Sequence, residues 1–145
     1  MEKNISMPDL IGTWDLVTVK SIAADSTVTY PYGEHPAGFL IFSAEGDYAL
    51  QIYSRNRPKI VSGNKSTATP EENIIMVKGS NAHFGKYKLD AGNKTITYSV
   101  ESAFFPNWEG QDLKATVTLG NNILTSYAGF TTFGAAKAVV IWRKR

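Results

Sequence analysis

Apolar and polar residues alternate along most of this chain, and the alternation falls into eight short runs with the period of a β-strand. The first run spans Leu10 to Ile22, with Trp14, Leu16, Thr18 and Lys20 on one parity and Asp15, Val17, Val19 and Ser21 on the other; neither side is wholly polar. The next two, Gly38–Ser43 and Asp47–Ser54, flank Ala44-Glu45-Gly46 and predict a hairpin that ends at Arg57-Pro58, where proline has no N–H to pair. A second hairpin is predicted from His83–Asp90 and Lys94–Ser102 around Ala91-Gly92-Asn93. Lys86 and Lys88 take the solvent side of its first strand, which sends His83, Gly85, Tyr87 and Leu89 inward; Ile96, Tyr98, Val100 and Ser102 share a face of the second. The proline and glycine of Phe104-Phe105-Pro106-Asn107-Trp108-Glu109-Gly110 interrupt pairing. Three more strands follow at about Leu113–Leu119, Asn122–Phe130 and Lys137–Arg143, the first two joined by Gly120-Asn121.

One stretch breaks the two-residue period. After an exposed loop rich in Ser, Thr, Gly and Asn, Thr69-Pro70-Glu71-Glu72 combines an N-cap, a proline in the first turn and a glutamate placed to close a capping box. Ile74, Ile75 and Val77 give the following helix an apolar side, and Gly79 with Ser80-Asn81 stops it. The interval from Thr69 to Gly79 is expected to hold the one substantial helix, as a plug or lid for one end of the structure or as a packing cover.

Short strands joined mostly by tight turns argue against a parallel sheet and leave a sandwich or an up-and-down barrel. Seven Phe, seven Tyr and three Trp decide for the barrel, whose eight-stranded interior holds side chains or one small ligand. Gly12-Thr13-Trp14 near one terminus and Trp142-Arg143-Lys144-Arg145 at the other bracket the closed structure. The expected fold is thus all-β, an eight-stranded antiparallel up-and-down barrel with one short helix, and 145 residues fit a single domain spanning 1–145. A net charge of +2, with its only basic cluster at Arg143-Lys144-Arg145, supplies no stripe for nucleic acid. The absence of cysteine removes disulfides, thiolate metal sites and thiol nucleophiles. Neither a signal-like nor a membrane-length apolar run occurs, so a cytoplasmic location is expected.

The ordered set Leu10-Ile11-Gly12-Thr13-Trp14, Tyr30-Pro31-Tyr32-Gly33, Pro36-Ala37-Gly38, Arg57-Pro58, Phe84-Gly85-Lys86-Tyr87 and Phe105-Pro106-Asn107-Trp108-Glu109-Gly110 resembles the lipocalin-like domain family of calycin-type small barrels over nearly the whole chain. The resemblance implies that Trp14 closes the barrel bottom beside a basic residue of the last strand, Arg143 or Arg145, where a cation can lie on the indole face. Without cysteines the chain departs from the disulfide-bonded secreted lipocalins, which places extracellular transport in doubt.

Among polar residues, His83 is the most suggestive: it points inward with Tyr87 and near Tyr98, and an imidazole can orient a ligand or move a proton. His83 and Tyr98 are the candidate catalytic residues. Tyr48, Gln51, His83, Tyr87, Tyr98, Trp108 and Tyr127 are the candidate ligand contacts, the tyrosines offering a ring wall and a hydroxyl, Gln51 with Arg55 a carbonyl or carboxylate contact if their parity is inward, and Trp108 either a roof or a rim cap. His35, beside Pro36, has no acidic partner at ligand spacing, so no metal is expected, nor any cofactor. Glu101 follows Thr95, Thr97 and Ser99 outward. Serine lacks a nucleophile context and the glycines form no phosphate loop. The expected function is binding of a small, largely apolar molecule in the barrel cavity; the alternative is a cofactor-free cyclase or isomerase acting on a hydrophobic natural-product intermediate, since a closed aromatic pocket can hold a flexible substrate in a reactive shape. The expected partner is a small hydrophobic ligand or substrate, not nucleic acid or membrane, with a homodimer left open.

Overall fold

A sheet with apolar residues on one face of every strand buries them all when it curls and closes on itself. The computed structural model describes residues 3–145. Its strands are β1 (Gly12–Ile22), β2 (Val28–Thr29), β3 (Ala37–Phe42), β4 (Asp47–Tyr53), β5 (Ser80–Asp90), β6 (Thr95–Ala103), β7 (Asp112–Gly120), β8 (Ile123–Ala128) and β9 (Lys137–Lys144). Each neighbours the next in the order β2-β1-β3-β4-β5-β6-β7-β8-β9, and β9 pairs back onto β1 from Trp14↔Lys144 to Ile22↔Lys137. Eight strands therefore close an antiparallel up-and-down barrel, while β2 adds to the edge of β1 through Ser21 and Ile22.

The two ends differ. Tight connections at 43–46, 91–94 and 121–122 gather at one end with the start of β1, whereas the longer segments 23–36, 54–79, 104–111 and 129–136 all emerge at the other. At the tight end, Asn121 and Asn122 both have positive φ (53° and 62°). This makes them the central pair of the β7–β8 hairpin, in place of the expected Gly120-Asn121, because the primed turn that matches strand twist needs positive φ at both central positions and asparagine tolerates it.

A one-turn helix absent from the sequence reading, α1 (Met7–Leu10), covers this closed end. Ser6 and Asp9 form its capping box, and Leu10 is fully buried beside Trp14. Leu40, Phe42, Ile96, Leu124 and Trp142 fill the adjoining interior. Trp14 closes the bottom as the resemblance implied, but its basic neighbour is Lys144, not Arg143 or Arg145: the Lys144 ammonium lies 5.0 Å from the ring centre.

Two irregularities decide which residues face inward. In β1 the register shifts between Leu16 and Thr18, so Trp14 lies inside on one parity and Val19 and Ser21 lie inside on the other. The mixed faces of the first run have this cause. In β6, Phe84 pairs with Ser102 and Gly85 with Val100, leaving Glu101 as the extra residue. Ser102 is consequently exposed instead of sharing the inward face of Val100, and Ala103 takes the position opposite His83. Glycine is required at 85, where a Cβ would sit 2.0 Å from the Ser99 carbonyl oxygen.

The expected helix forms as α2 (Pro70–Lys78). The Thr69 hydroxyl accepts from the Glu72 N–H at 3.1 Å, and the Glu72 carboxylate accepts from the Thr69 N–H at 2.8 Å. It is neither plug nor lid. None of its residues is buried, Ile74, Ile75 and Val77 are exposed, and none of them lines the barrel interior.

Candidate functional site

Between the packed lower core and the end with long loops lies a small cavity that opens toward the loops. Leu50, Ile52, Val140 and Trp142 form its apolar walls; Tyr32, Trp108, Phe130 and Phe133 stand around its entrance. Among the described residues, no Asp, Glu, Lys or Arg lines it. The rim is held by aromatic edges: Trp108 meets His83, Phe105 and Phe130 edge-on at 5.4–5.5 Å, and Tyr32 meets Phe133 at 5.9 Å. The Pro106–Trp108 turn, tied back by Glu109 N–H to the Pro106 carbonyl at 3.0 Å, swings Trp108 over the opening.

His83 is the polar centre of this wall. Strand β5 sends it inward with Asn81 and Tyr87, and Lys86 and Lys88 face solvent, as the lysine pattern indicated. Its Nδ1 lies 2.7 Å from the Tyr48 hydroxyl on β4, and its ring meets Tyr48 and Tyr98 edge-on. Burial without a countercharge lowers the His83 pKa to about 4, so the imidazole is neutral at pH 7. Burial also raises the Tyr48 and Tyr98 hydroxyls above their ordinary range, with the Glu101 charge adding to the effect on Tyr48 and Tyr48 adding to that on Tyr98. Every polar group on this wall is therefore uncharged at neutral pH. It can exchange hydrogen bonds with a bound molecule, but it offers no ion to pair with.

The sequence profile of the lipocalin-like domain family matches residues 11–145. The chain belongs to that family. Among curated proteins, none matches the chain.

Of the residues the sequence put forward, the lipocalin-like barrel brings His83, Tyr98 and Trp108 to the cavity. Tyr48 stands behind His83 and reaches the cavity through it. Tyr87 is inside the barrel but nearer the closed end, its ring tilted against Phe42 with centres 4.6 Å apart and its hydroxyl donating to the Ser43 carbonyl at 2.7 Å, so it does not line the cavity. Gln51 and Tyr127 do not face inward. Gln51 lies between inward Leu50 and Ile52 and accepts a 2.8 Å hydrogen bond from Tyr53 on the outer face; Tyr127 is exposed between buried Ser126 and Ala128. Arg55 is at the rim, its Nε donating to the His35 carbonyl at 2.9 Å, and Glu101 is exposed as expected.

The sequence reading missed Asn81, Tyr32 and the 130–133 segment. In sequence, Gly79-Ser80-Asn81 reads as a helix stop with the strand beginning two residues later at His83, and the strand from Asn122 reads as ending at Phe130. A pair of phenylalanines three apart, flanking two threonines in an otherwise small-residue loop, was the available signal. No cluster of three or more His, Asp or Glu side chains able to hold a metal occurs among the described residues, and no helix among them is long and apolar enough to cross a membrane.

Proposed function

We propose that this barrel binds one small, largely apolar, uncharged molecule in its upper cavity. The observation that carries the reading is an open, apolar and aromatic cavity with a few neutral polar groups and no charged one, the combination by which pockets orient hydrophobic ligands. His83, held by Tyr48, and the Tyr98 hydroxyl fix orientation, and Trp108 with Phe130 forms the entrance. The partner in this reading is the ligand, and a cysteine-free barrel fits the cytoplasm, since it draws nothing from an oxidising compartment.

Trp108 and Trp142 both line the cavity, so binding has an intrinsic reporter. Titration with a panel of uncharged hydrophobic molecules should give saturable changes in tryptophan fluorescence at one molecule per chain. Failure of the whole panel to bind would overturn the reading.

The Tyr48–His83 hydrogen bond favours a second reading, cofactor-free cyclisation or isomerisation of a hydrophobic intermediate. An imidazole whose conjugate acid has a pKa of about 4 is a weak base, which ranks orientation ahead of proton abstraction. A His83→Gln variant that binds normally but no longer turns over a substrate would reverse that ranking.

A further inference from the structure

Among the described residues, one fully enclosed side-chain atom at the cavity is left without a partner. Asn81 takes the inward parity of β5 two residues before His83, is only 6 % exposed and lines the cavity, yet its side-chain oxygen receives no hydrogen bond. The residue paired with it on β4 is Ile52, which has nothing to donate from its side chain. Thr18, also buried, donates to the Glu34 carbonyl, and buried His83 is bonded to Tyr48, whereas the Asn81 oxygen is both shut off from water and unpaired, which has to be explained. A buried amide oxygen deprived of water is destabilising until something donates to it. The oxygen itself is closed off from water while Asn81 as a residue lines the cavity, so a turn of its amide about the side-chain bond presents the oxygen to a bound molecule, the nearest available donor.

The rest of the lining limits what that molecule is. An ionised carboxylate or ammonium would enter a cavity with no opposite charge to meet it, and would lose its hydration uncompensated. We infer that Asn81 is a ligand-recognition residue, and that the molecule it takes is an uncharged, largely apolar alcohol or phenol whose hydroxyl donates to Asn81 Oδ1. The inference rests on the cavity-binding function proposed above and specifies its ligand chemistry. Asn81 and His83 leave the strand about 7 Å apart, two residues at roughly 3.3 Å each, so one hydroxyl serves Asn81 alone and His83 is left for a second polar atom on the same ligand.

The test is calorimetric titration at pH 7.5 with four probes of one shape: 2-naphthol, 2-methoxynaphthalene, naphthalene and 2-naphthoate. The parent protein should bind 2-naphthol about tenfold more tightly than its methyl ether, as one hydrogen bond to a buried acceptor allows, and should reject the naphthoate anion. In Asn81→Leu, similar in size but without the acceptor, the preference for naphthol over the ether should vanish while naphthalene still binds. Equal binding of naphthol and its ether by the parent would overturn the inference and leave the cavity function standing; this comparison needs no variant to fold. A preference that persists in Asn81→Leu would also overturn it, placing the recognising group elsewhere on the wall. If the parent binds none of the four, the inference falls together with the function beneath it.

Discussion

Lys144 and Trp14 face each other across the β1–β9 seam, with the ammonium 5.0 Å from the indole ring centre and donating to the carbonyls of Asp9 and Ile11 at 2.9 and 2.7 Å. The indole N–H donates to the Leu10 carbonyl at 2.8 Å. One cation and one ring thus satisfy carbonyls left open where α1 runs into β1, and they do so at the point where the barrel closes. Arg143 is outward and exposed, and Arg145 pairs with Asp15 at 2.6 Å on the outer surface. Strand parity explains the choice: with Trp142 buried inside, Lys144 is the next residue on the inward side.

Truncation of Trp14 to Ala should therefore destabilise the fold by about 3–5 kcal/mol, the range for a large buried side chain. Lys144→Met keeps the aliphatic stem but removes the cation and both hydrogen bonds, and should destabilise by about 1–3 kcal/mol. Arg143→Ala should leave the urea unfolding midpoint unchanged. A midpoint for Lys144→Met equal to that of the parent would exclude the proposed closure.

Gly85→Ala should be severe for a different reason. Its Cβ would meet the Ser99 carbonyl oxygen at 2.0 Å and the Glu101 N–H nitrogen at 2.9 Å, both backbone atoms of the β6 bulge that cannot swing aside. The bulge must open or the strands must part, so the loss should be about 3 kcal/mol or more, with the melting temperature as readout. Gly129→Ala, where a Cβ meets nothing within 4 Å, is the matched control and should melt near the parent.

The fold was readable because most of its strands carry an internal parity marker. Lys86 and Lys88 oriented β5 correctly, and with it His83. The helix was readable because Thr69 and Glu72 form a local signal that needs no tertiary context. What escaped detection depended on neighbours. The Glu101 bulge is set by pairing with β5, and nothing near Ser102 in sequence announces that it turns outward. Gln51 and Tyr127 fit either side of a strand, because an amide and a phenol are at home in a cavity or in water, so composition could not place them. Asn81 was lost through the opposite error: Gly79-Ser80-Asn81 is a good helix stop, and the same three residues also lead straight into the next strand.

Burial of His83 has a consequence for acid stability. Its pKa is lowered from 6.5 to about 4, so below pH 6.5 the unfolded chain takes up a proton that the folded chain refuses. Stability is complete above pH 6.5, declines as the pH falls and loses roughly 3 kcal/mol from this group by pH 4; by pH 5 the loss should be about 2 kcal/mol. The carboxylates of Asp9, Asp15, Asp25, Glu72 and Asp90 are also lowered, by hydrogen bonds to Lys3, Arg145, Thr27, the Thr69 backbone and Asn93 respectively, and they act in a lower window, below the ordinary carboxylate range. Urea midpoints measured at pH 7, 6 and 5 should decline for the parent and flatten for His83→Gln. An identical decline in both would assign the effect to other groups.

The two cavity-side tyrosines should separate when their hydroxyls are removed. The Tyr48 hydroxyl is committed to His83 Nδ1 at 2.7 Å, so Tyr48→Phe leaves a buried ring nitrogen without its partner and should destabilise by about 1–2 kcal/mol. Tyr98 is buried beside Tyr48 with ring centres 4.8 Å apart, but no described residue hydrogen-bonds to its hydroxyl, which belongs to the cavity wall. Tyr98→Phe should therefore leave stability unchanged or slightly higher while altering the affinity and orientation of a bound ligand. Tyr48→Phe should change affinity as well, by freeing the imidazole to rotate, but only together with its loss of stability. Unfolding midpoints and ligand titrations on both variants check the contrast. A Tyr98→Phe protein that loses as much stability as Tyr48→Phe would mean that the Tyr98 hydroxyl serves the fold and not the ligand.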